Sequence, residues 1–148
     1  MDLDQKGKDF LAKEEGLILH PYQDSKGVWT IGIGNTYYED GTKVTMKDPS
    51  ITKDRAYSLF NIVSKQFINN LNKVVKSKIT QNQFDALFSL SYNIGITGFN
   101  GSTVLRLVNS NTNDLGISEA FKMWKKAGND PTALLGRRIR EVQLYFSK

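Results

Sequence analysis

The sequence predicts an α+β fold in which a small antiparallel sheet precedes a mostly helical body. Between residues 17 and 45, β-branched and aromatic residues are separated by turn formers such as glycine and aspartate, which is typical of short strands. After residue 48, apolar residues recur at helical spacing almost to the end of the chain. A group of strands followed by a group of helices is the α+β layout.

The N-terminal part is predicted to begin with one helix and to continue with the sheet. A helical period predicts an amphipathic helix over the first 15 residues, capped by Asp2 or Asp4 and stopped by Gly16. Two or three short strands are predicted to follow up to Thr45, with a turn at residues 24–27.

The helical body is predicted to begin with a long helix that starts at Thr52. A capping box beginning at Thr80 marks the start of the next helix. Asp130 followed by Pro131 predicts the start of the last one, and the glycine-rich segment 94–101 is interpreted as a loop. The predicted helices span residues 51–75, 80–93, 102–109, 118–126 and 130–146.

The length of 148 residues corresponds to one domain, residues 1–148, which is large enough to contain both a core and a cleft. Within it we expect an N-terminal lobe over about 1–50, a connecting helix over about 51–76 and a helical lobe over about 77–148. The crevice beside the sheet is the default position for a site in such a fold.

The composition excludes several kinds of chemistry. Cysteine is absent, which excludes disulfides, thiolate nucleophiles and cysteine-ligated metals. His20 is the only histidine, which argues against a histidine-based zinc site and against a Ser-His-Asp relay. Acid and base groups must therefore come from carboxylates, lysine or tyrosine, and we expect no metal and no cofactor.

The N-terminus and the net charge bear on location and partners. The first residues carry aspartate where a signal peptide carries lysine or arginine, and no apolar run has the length of a signal peptide or a transmembrane segment. We therefore expect synthesis in the cytoplasm and no stable membrane insertion. Twenty Lys and Arg against 15 Asp and Glu give a net charge of +5, which we interpret as long-range attraction to an anionic partner.

Three polar residues could converge at one end of the sheet. Glu15 closes the first helix, Asp24 lies in the turn before Gly27, and Thr30 lies on a strand. A glycosidase needs one protonated carboxyl for the leaving oxygen and one ionised carboxyl that activates water or attacks the sugar. The negative potential at the C-terminal end of a helix favours a protonated carboxyl there. Glu15 therefore suits the acid role and Asp24 the charged role, while Thr30 could orient the water.

The residues around this trio form a longer pattern. A Glu15-Gly pair is followed by Tyr22-x-Asp24 and then by GVWTIGIGNT over residues 27–36. This pattern resembles the active-site stretch of the phage-type lysozymes (endolysins, glycoside hydrolase family 24), where EG precedes YxD and GxxTIGxGHT. Eight and then five residues separate the acid, the aspartate and the threonine of that family, and Glu15, Asp24 and Thr30 reproduce both intervals. Later segments also resemble the family, at residues 83–95, 102–106, 121–128 and 135–145.

The resemblance implies a two-lobed lysozyme-like fold and a muramidase activity. Such an enzyme hydrolyses the β-1,4 bond between N-acetylmuramic acid and N-acetylglucosamine in peptidoglycan, with inversion, during host cell lysis. By resemblance, Glu15 is the general acid, Asp24 positions or activates water, and Thr30 is the hydroxyl partner of Asp24.

Substrate-binding residues are implied by the same resemblance. Tyr92 and Asn93 match a helix end that faces sugar in the family, where a ring can stack and an amide can bind N-acetyl groups. A role for Tyr92 in the core is the alternative. Gly34 and Asn35 belong to the active-site stretch itself. Asn35 departs from the family pattern, which usually has histidine there, so no imidazole can pair with an acid of the adjoining helix.

Several alternatives and partners complete these expectations. The rival function is a non-catalytic basic module that binds peptidoglycan or nucleic acid. A transglycosylase is a second rival, against which Asp24 argues because such enzymes can work with a single acid. Arg137, Arg138 and Arg140 could form a nucleic-acid patch or pair with acids such as Glu141. The leading interpretation is a monomer that binds bacterial peptidoglycan and no nucleic acid, and that reaches the wall in the periplasm after a holin permeabilises the membrane.

Overall fold

The computed structural model describes all 148 residues, which form seven helices and one two-stranded sheet. The α+β class predicted from the sequence is confirmed. The strands are β1 (Ile18–Gln23) and β2 (Trp29–Gly32). The helices are α1 (Gln5–Glu15), α2 (Lys53–Val74), α3 (Gln81–Ile94), α4 (Ile96–Asn100), α5 (Thr103–Ser110), α6 (Gly116–Lys122) and α7 (Leu135–Tyr145).

The chain is divided into two compact units. The sheet unit comprises Lys8–Lys65 and contains most of α1, both strands and the first half of α2. The helical unit comprises Met1–Gly7 together with Gln66–Lys148. The lobe boundaries expected near residues 50 and 76 stay a prediction. None of the helices combines the length and the apolar character needed to cross a membrane.

Helix α1 has the ends that the sequence predicts. Asp4 Oδ1 accepts a hydrogen bond from the N–H of Gly7 at 2.7 Å, which makes Asp4 the capping residue. At the other end, the N–H of Gly16 donates to the carbonyl of Ala12 at 2.9 Å. Gly16 has a φ of +79°, a left-handed conformation that favours glycine after a helix. Glu15 is therefore held as the last residue of α1.

The sheet is a short antiparallel hairpin in which Tyr22 lies opposite Thr30. The third strand that the sequence allowed is reduced to an isolated bridge between Tyr37 and Lys43. Beneath the hairpin lies a small apolar cluster that joins β2 to α2, so the position of β2 is fixed by packing as well as by pairing. The buried members of the cluster are Ile31, Val44 and Leu59, covered by Trp29, Tyr38, Ile51 and Val63.

The helical unit is built around α3. The predicted capping box is present, because the Thr80 side chain accepts from the N–H of Gln83 while the Gln83 side chain accepts from the N–H of Thr80. All residues from Gln83 to Ser91 are buried, so this helix is enclosed on every side. Helix α7 packs against it. The helical unit buries five aromatic side chains, two of which belong to α3 itself. These are Phe84, Phe88, Phe99, Phe121 and Tyr145.

The glycine-rich segment after α3 was predicted to be a loop, and this prediction is wrong. It contains the short helix α4, which begins directly after Gly95. Phe99 on α4 is fully buried, so tertiary packing of this ring stabilises a helix that the glycines alone disfavour.

The predicted bounds of the last two helices also need correction. Helix α7 begins at Leu135 and not at Asp130. Ala127 and Asp130 exchange two backbone hydrogen bonds of 3.0 Å, and Asp130 Oδ1 accepts from the N–H of Thr132. The aspartate therefore caps a tight turn instead of a helix. Helix α6 spans Gly116–Lys122, whereas the sequence predicted 118–126.

Candidate active site

Glu15 lies against Gly34, in the segment that follows β2. A Cβ atom placed on Gly34 would be 2.7 Å from Oε1 of Glu15, well inside van der Waals contact. Gly34 also has a φ of +67°, which disfavours any residue with a side chain. Gly34 therefore leaves the space that the Glu15 carboxyl occupies.

Asp24 lies in the turn between β1 and β2, where the main chain holds one of its oxygens. Oδ1 accepts the N–H of Lys26 at 2.8 Å and the N–H of Val28 at 2.9 Å. The turn itself is closed by a 2.9 Å bond from the N–H of Asp24 to the carbonyl of Val28. Together these bonds fix the orientation of the carboxyl, and Oδ2 makes no hydrogen bond to the protein.

Thr30 lies on β2 and is 2% exposed. Its Oγ1 donates to the carbonyl oxygen of Val28 at 2.8 Å. A hydroxyl has one hydrogen to donate and two lone pairs that accept. Because the hydrogen is committed to Val28, Thr30 can interact with a further polar group only as an acceptor.

The phenol of Tyr22 is influenced by the charges of both carboxylates. Burial raises the pKa of its phenol to about 12, and the negative charges of Glu15 and Asp24 both contribute to this increase. Charge effects of this kind fall with distance and are screened by water. Both carboxylates therefore influence the same phenol group. Tyr22 also lies opposite Thr30 in the hairpin, so all three predicted residues belong to the sheet unit and each relates to this tyrosine; their catalytic roles stay predictions.

The other predicted pair, Tyr92 and Asn93, lies in the helical unit at the end of α3. The half-buried ring of Tyr92 stacks on Phe88 with a centroid distance of 5.7 Å and contacts Phe67 at 5.1 Å. Oδ1 of Asn93 accepts a 2.7 Å hydrogen bond from Nη2 of Arg138. Tyr92 is thus part of an aromatic cluster, and the substrate-binding roles of both residues stay predictions.

Asn35 lies below the surface of the segment after β2. Its side chain is 1% exposed, and neither its amide oxygen nor its amide nitrogen has a hydrogen-bond partner in the protein. Its backbone N–H and carbonyl both pair with Ile31, at 3.0 and 2.8 Å. The contribution of Asn35 to the site is therefore made through the backbone that carries Gly34.

Comparison with known proteins identifies the family to which this chain belongs. Residues 12–141 match the family described as phage lysozyme. The chain belongs to the phage lysozyme family. A relative, the endolysin of Salmonella phage P22, is 41% identical over 147 residues, which cover 99% of this chain and 99% of the relative.

Two solved structures with a similar fold are an endolysin and a muramidase domain, which is consistent with that family. The endolysin from Escherichia coli O157:H7 phage FAHEc1 has a TM-score of 0.88 and 37% identity, over 99% of this chain and 94% of the other. The muramidase domain of SpmX from Asticaccaulis excentricus has a TM-score of 0.81 and 28% identity, over 99% of both chains. The predicted enzyme class, a glycoside hydrolase, is confirmed by this family membership. The non-catalytic binding module is not favoured.

A buried group of charges joins α7 to α3 in this phage lysozyme. Arg138 Nε lies 2.7 Å from Oε1 of Glu141, and Arg137 Nε lies 3.2 Å from Oε2. Ser89 of α3 donates to Glu141 and accepts from Arg137. Burial raises the pKa of Glu141, while the two guanidinium groups and the Ser89 hydroxyl oppose this increase. Two of the three arginines therefore pair with Glu141, as one of the sequence alternatives predicted, and do not form an exposed patch.

Sequence reasoning gave Tyr22 no role beyond its place in the motif, although the charges of both carboxyls influence its phenol. A signal was present, because side chains two residues apart on a strand point to the same face. Tyr22 and Asp24 have that spacing across the end of β1. Within the protein, no group of three or more Asp, Glu or His side chains is arranged to hold a metal ion.

Proposed function

We propose that this phage lysozyme is a muramidase that hydrolyses the β-1,4 bond between N-acetylmuramic acid and N-acetylglucosamine in bacterial peptidoglycan, for host cell lysis. One observation carries the proposal: the carboxyls of Glu15 and Asp24 flank the same hairpin, Glu15 against Gly34 just after β2 and Asp24 in the turn before β2, and both influence the phenol of Tyr22. Two carboxyls near one point are what glycoside hydrolysis requires. The related endolysins and the muramidase domain with the same fold support this substrate.

The two carboxyls take different roles in the proposed reaction. Glu15 donates a proton to the glycosidic oxygen as the bond to the leaving sugar breaks. Asp24, whose Oδ1 is held by two backbone N–H groups, accepts a proton from water through Oδ2. The water attacks the anomeric carbon from the opposite face, which inverts its configuration.

Thr30 orients the attacking water. Its own hydrogen is committed to Val28, so Oγ1 accepts one hydrogen of the water. Asp24 accepts the other hydrogen, which leaves a lone pair of the water directed at the sugar. An ordered nucleophile of this kind lowers the entropy cost of the attack.

The remaining predicted residues bind or shape the substrate site in this proposal. Tyr92 offers the exposed part of its half-buried ring for stacking on a sugar, and Asn93 offers its amide. Gly34 and Asn35 belong to the sheet unit, where Gly34 keeps the backbone close to Glu15 and the buried Asn35 follows it.

Access to the substrate is part of the proposal. The enzyme is made in the host cytoplasm, acts as a monomer and reaches peptidoglycan in the periplasm after a holin opens the membrane. The net charge of +5 then serves attraction to the anionic wall and not binding of nucleic acid. Appearance of the enzyme outside cells whose membrane is intact would contradict holin dependence.

The deciding experiment compares Glu15→Gln with Glu14→Gln, the same substitution one residue earlier. We expect Glu15→Gln to lower the rate of wall lysis at least 100-fold, because general acid catalysis contributes about 10²- to 10⁴-fold. Its melting temperature should stay near that of the wild type, and Glu14→Gln should remain active. A lysis rate of Glu15→Gln near that of the wild type would end the assignment.

The products define the reaction class. Wild-type digestion in water enriched in heavy oxygen should place the label on new reducing-end muramic acid, as measured by mass spectrometry. Anhydro ends would instead identify a transglycosylase, and intact glycan would identify a binding module.

A further inference from the structure

The peptide bond between Asn100 and Gly101 joins the end of α4 to the turn before α5. Asparagine followed by glycine is prone to cyclise, because no Cβ on the glycine hinders the attack of its nitrogen on the side-chain amide carbon. Asn100 and Gly101 are both exposed to solvent. Water and hydroxide, the co-reactants that this chemistry needs, therefore reach the bond.

The fold does not require glycine at position 101. The residue has a φ of −92° and a ψ of 5°, a conformation that residues with a side chain also adopt. A Cβ placed there would meet only the carbonyl oxygen of Thr97, at 3.8 Å, which is ordinary van der Waals contact. Neither the backbone nor the packing therefore explains why the residue after Asn100 lacks a side chain.

The backbone nitrogen of Gly101 is weakly held. Its N–H donates to the carbonyl of Thr97 at 3.3 Å, which is longer than a usual hydrogen bond between amides. This bond closes the end of α4, a helix of only five residues. Because the ends of helices fray, the nitrogen can be released without disrupting the rest of the unit.

The side-chain amide of Asn100 is held by Asn70 of α2. Nδ2 of Asn70 donates to Oδ1 of Asn100 at 2.8 Å, and Nδ2 of Asn100 donates back to Oδ1 of Asn70 at 3.1 Å. Both residues belong to the helical unit. The amide of Asn100 must leave this pair before its carbon can turn to the nitrogen of Gly101, so the pair opposes cyclisation.

We propose that Asn100 is a site of spontaneous deamidation whose rate is limited by the amide pair with Asn70. Hydroxide removes the proton of the Gly101 N–H, and the nitrogen attacks Cγ of Asn100. A new C–N bond forms, the bond from Cγ to Nδ2 breaks, and Nδ2 leaves as ammonia with a proton from water, which regenerates hydroxide. The product is a cyclic succinimide. The inference is independent of the proposed function, because neither asparagine belongs to the proposed site.

Water then opens the succinimide at either of its two carbonyls. Attack at Cγ breaks the new bond to the Gly101 nitrogen and leaves aspartate in an unaltered main chain. Attack at the main-chain carbonyl breaks the original peptide bond, so that the chain runs through Cγ as isoaspartate. Both products carry a negative charge that Asn100 lacks, and neither can donate an amide N–H to Asn70.

The two products should differ in their effect on α5, because Ser102 caps that helix. The N–H and the Oγ of Ser102 donate to the carbonyl of Phe99, at 3.1 and 2.6 Å, and Oγ accepts the N–H of Leu105 at 3.1 Å. Isoaspartate adds a carbon atom to the main chain between Phe99 and Ser102, whereas aspartate adds none. Since Phe99 is fully buried, it cannot move to compensate.

The first test incubates the wild-type enzyme in mildly alkaline water enriched in heavy oxygen. Mass spectrometry of the peptide that contains Asn100 should show replacement of the amide by a labelled carboxyl, in two products that separate by chromatography. Gly101→Ala, which the backbone accepts, should slow this conversion severalfold. A wild-type peptide that stays unchanged at Asn100 would overturn the proposal.

The second test asks whether Asn70 limits the rate. Asn70→Ala should deamidate at Asn100 about tenfold faster than the wild type, which corresponds to about 1.4 kcal/mol, because two hydrogen bonds no longer hold the amide. The matched control is Asn69→Ala, on the preceding exposed residue of α2, whose side chain makes no hydrogen bond in the protein. Its rate should equal that of the wild type. Equal rates in Asn70→Ala and Asn69→Ala would contradict protection by the pair.

The third test compares the stability of the two products. Asn100→Asp reproduces the aspartate form and should melt close to the wild type. The isoaspartate form, separated from aged wild-type enzyme by ion exchange, should melt at a clearly lower temperature. Equal melting temperatures of the two forms would contradict the expected loss of the Ser102 cap.

Discussion

The carboxyl of Glu15 and the α-carbon of Gly34 are so close that a methyl group on Gly34 would lie 2.8 Å from the carboxyl carbon. The two residues are far apart along the chain, and the hairpin brings them together. A substitution at Gly34 should therefore act on the proposed general acid directly.

Gly34→Ala should lower kcat for wall lysis about 100-fold, because a displacement of about 1 Å in a catalytic group can have an effect of that size. It should also lower stability by about 1–2 kcal/mol, the cost of a side chain in left-handed backbone. Gly41→Ala is the control: its φ is +86°, and nothing lies within 4 Å of the added Cβ. It should lose similar stability and keep full activity. Equal kcat values for the two variants would show that Gly34 does not serve Glu15.

Thr30→Val tests the proposed orientation of water. Valine has nearly the shape of threonine, and the Val28 carbonyl keeps its bond from the N–H of Asp24 at 2.9 Å. The melting temperature should therefore change little, while kcat falls at least tenfold. Thr30→Ser, which keeps the hydroxyl, should retain most of the activity. Full lysis by Thr30→Val would remove the hydroxyl from the mechanism.

The buried carboxyl of Asp85 and its partner Asp4 predict how stability depends on pH. Asp85 on α3 is fully buried, accepts from Gln81 at 2.8 Å and shares a hydrogen bond with Asp4, which caps α1. Burial and the contact with Asp4 raise the pKa of Asp85 to about 7, while this contact lowers the pKa of Asp4. The folded state therefore keeps a proton on Asp85 that the unfolded state releases near its ordinary value of 3.8.

Because the folded state binds this extra proton, a rise in pH destabilises the folded state. The contribution of Asp85 to the free energy of unfolding is fully present below about pH 4 and is lost as the pH rises through about 7. The lowered pKa of Asp4 matters only in more acidic solution. In denaturant titrations, the wild type should lose a few kcal/mol between pH 4 and pH 8, since one pKa unit corresponds to about 1.4 kcal/mol.

Asp85→Asn should flatten this profile, because its amide can donate to Asp4 at every pH. The variant should exceed the wild type in stability at pH 8. Asp114→Asn, on a residue whose carboxylate accepts only from the backbone of Gly116, should leave the wild-type profile intact. A wild-type profile that is flat from pH 4 to pH 8 would contradict the shared proton.

Local patterns predicted the parts of the fold that depend on neighbours in sequence. The Thr80 capping box and the stop at Gly16 are properties of a few adjacent residues, and both occur as predicted. The spacing of Glu15, Asp24 and Thr30 places them at the end of α1 and in the hairpin that follows, all within the sheet unit.

Contacts between distant segments could not be predicted in the same way. Helix α4 depends on burial of Phe99, and the turn at Asp130 depends on its pairing with Ala127. The contact between Gly34 and Glu15 likewise needs the hairpin to be in place before it exists. The sequence shows that these residues are present but does not show which of them come into contact in the folded protein.

The turn at Asp24 has a consequence for how freely the enzyme surface can change. Its carboxyl is held by the N–H groups of positions 26 and 28, so the side chains of Ser25 and Lys26 take no part and are exposed to solvent. Only Gly27, with a φ of +80°, is constrained in this loop by its conformation. Substitutions at positions 25 and 26 can therefore change the charge beside the proposed site without moving the carboxyl, so one mechanism is compatible with surfaces of different charge.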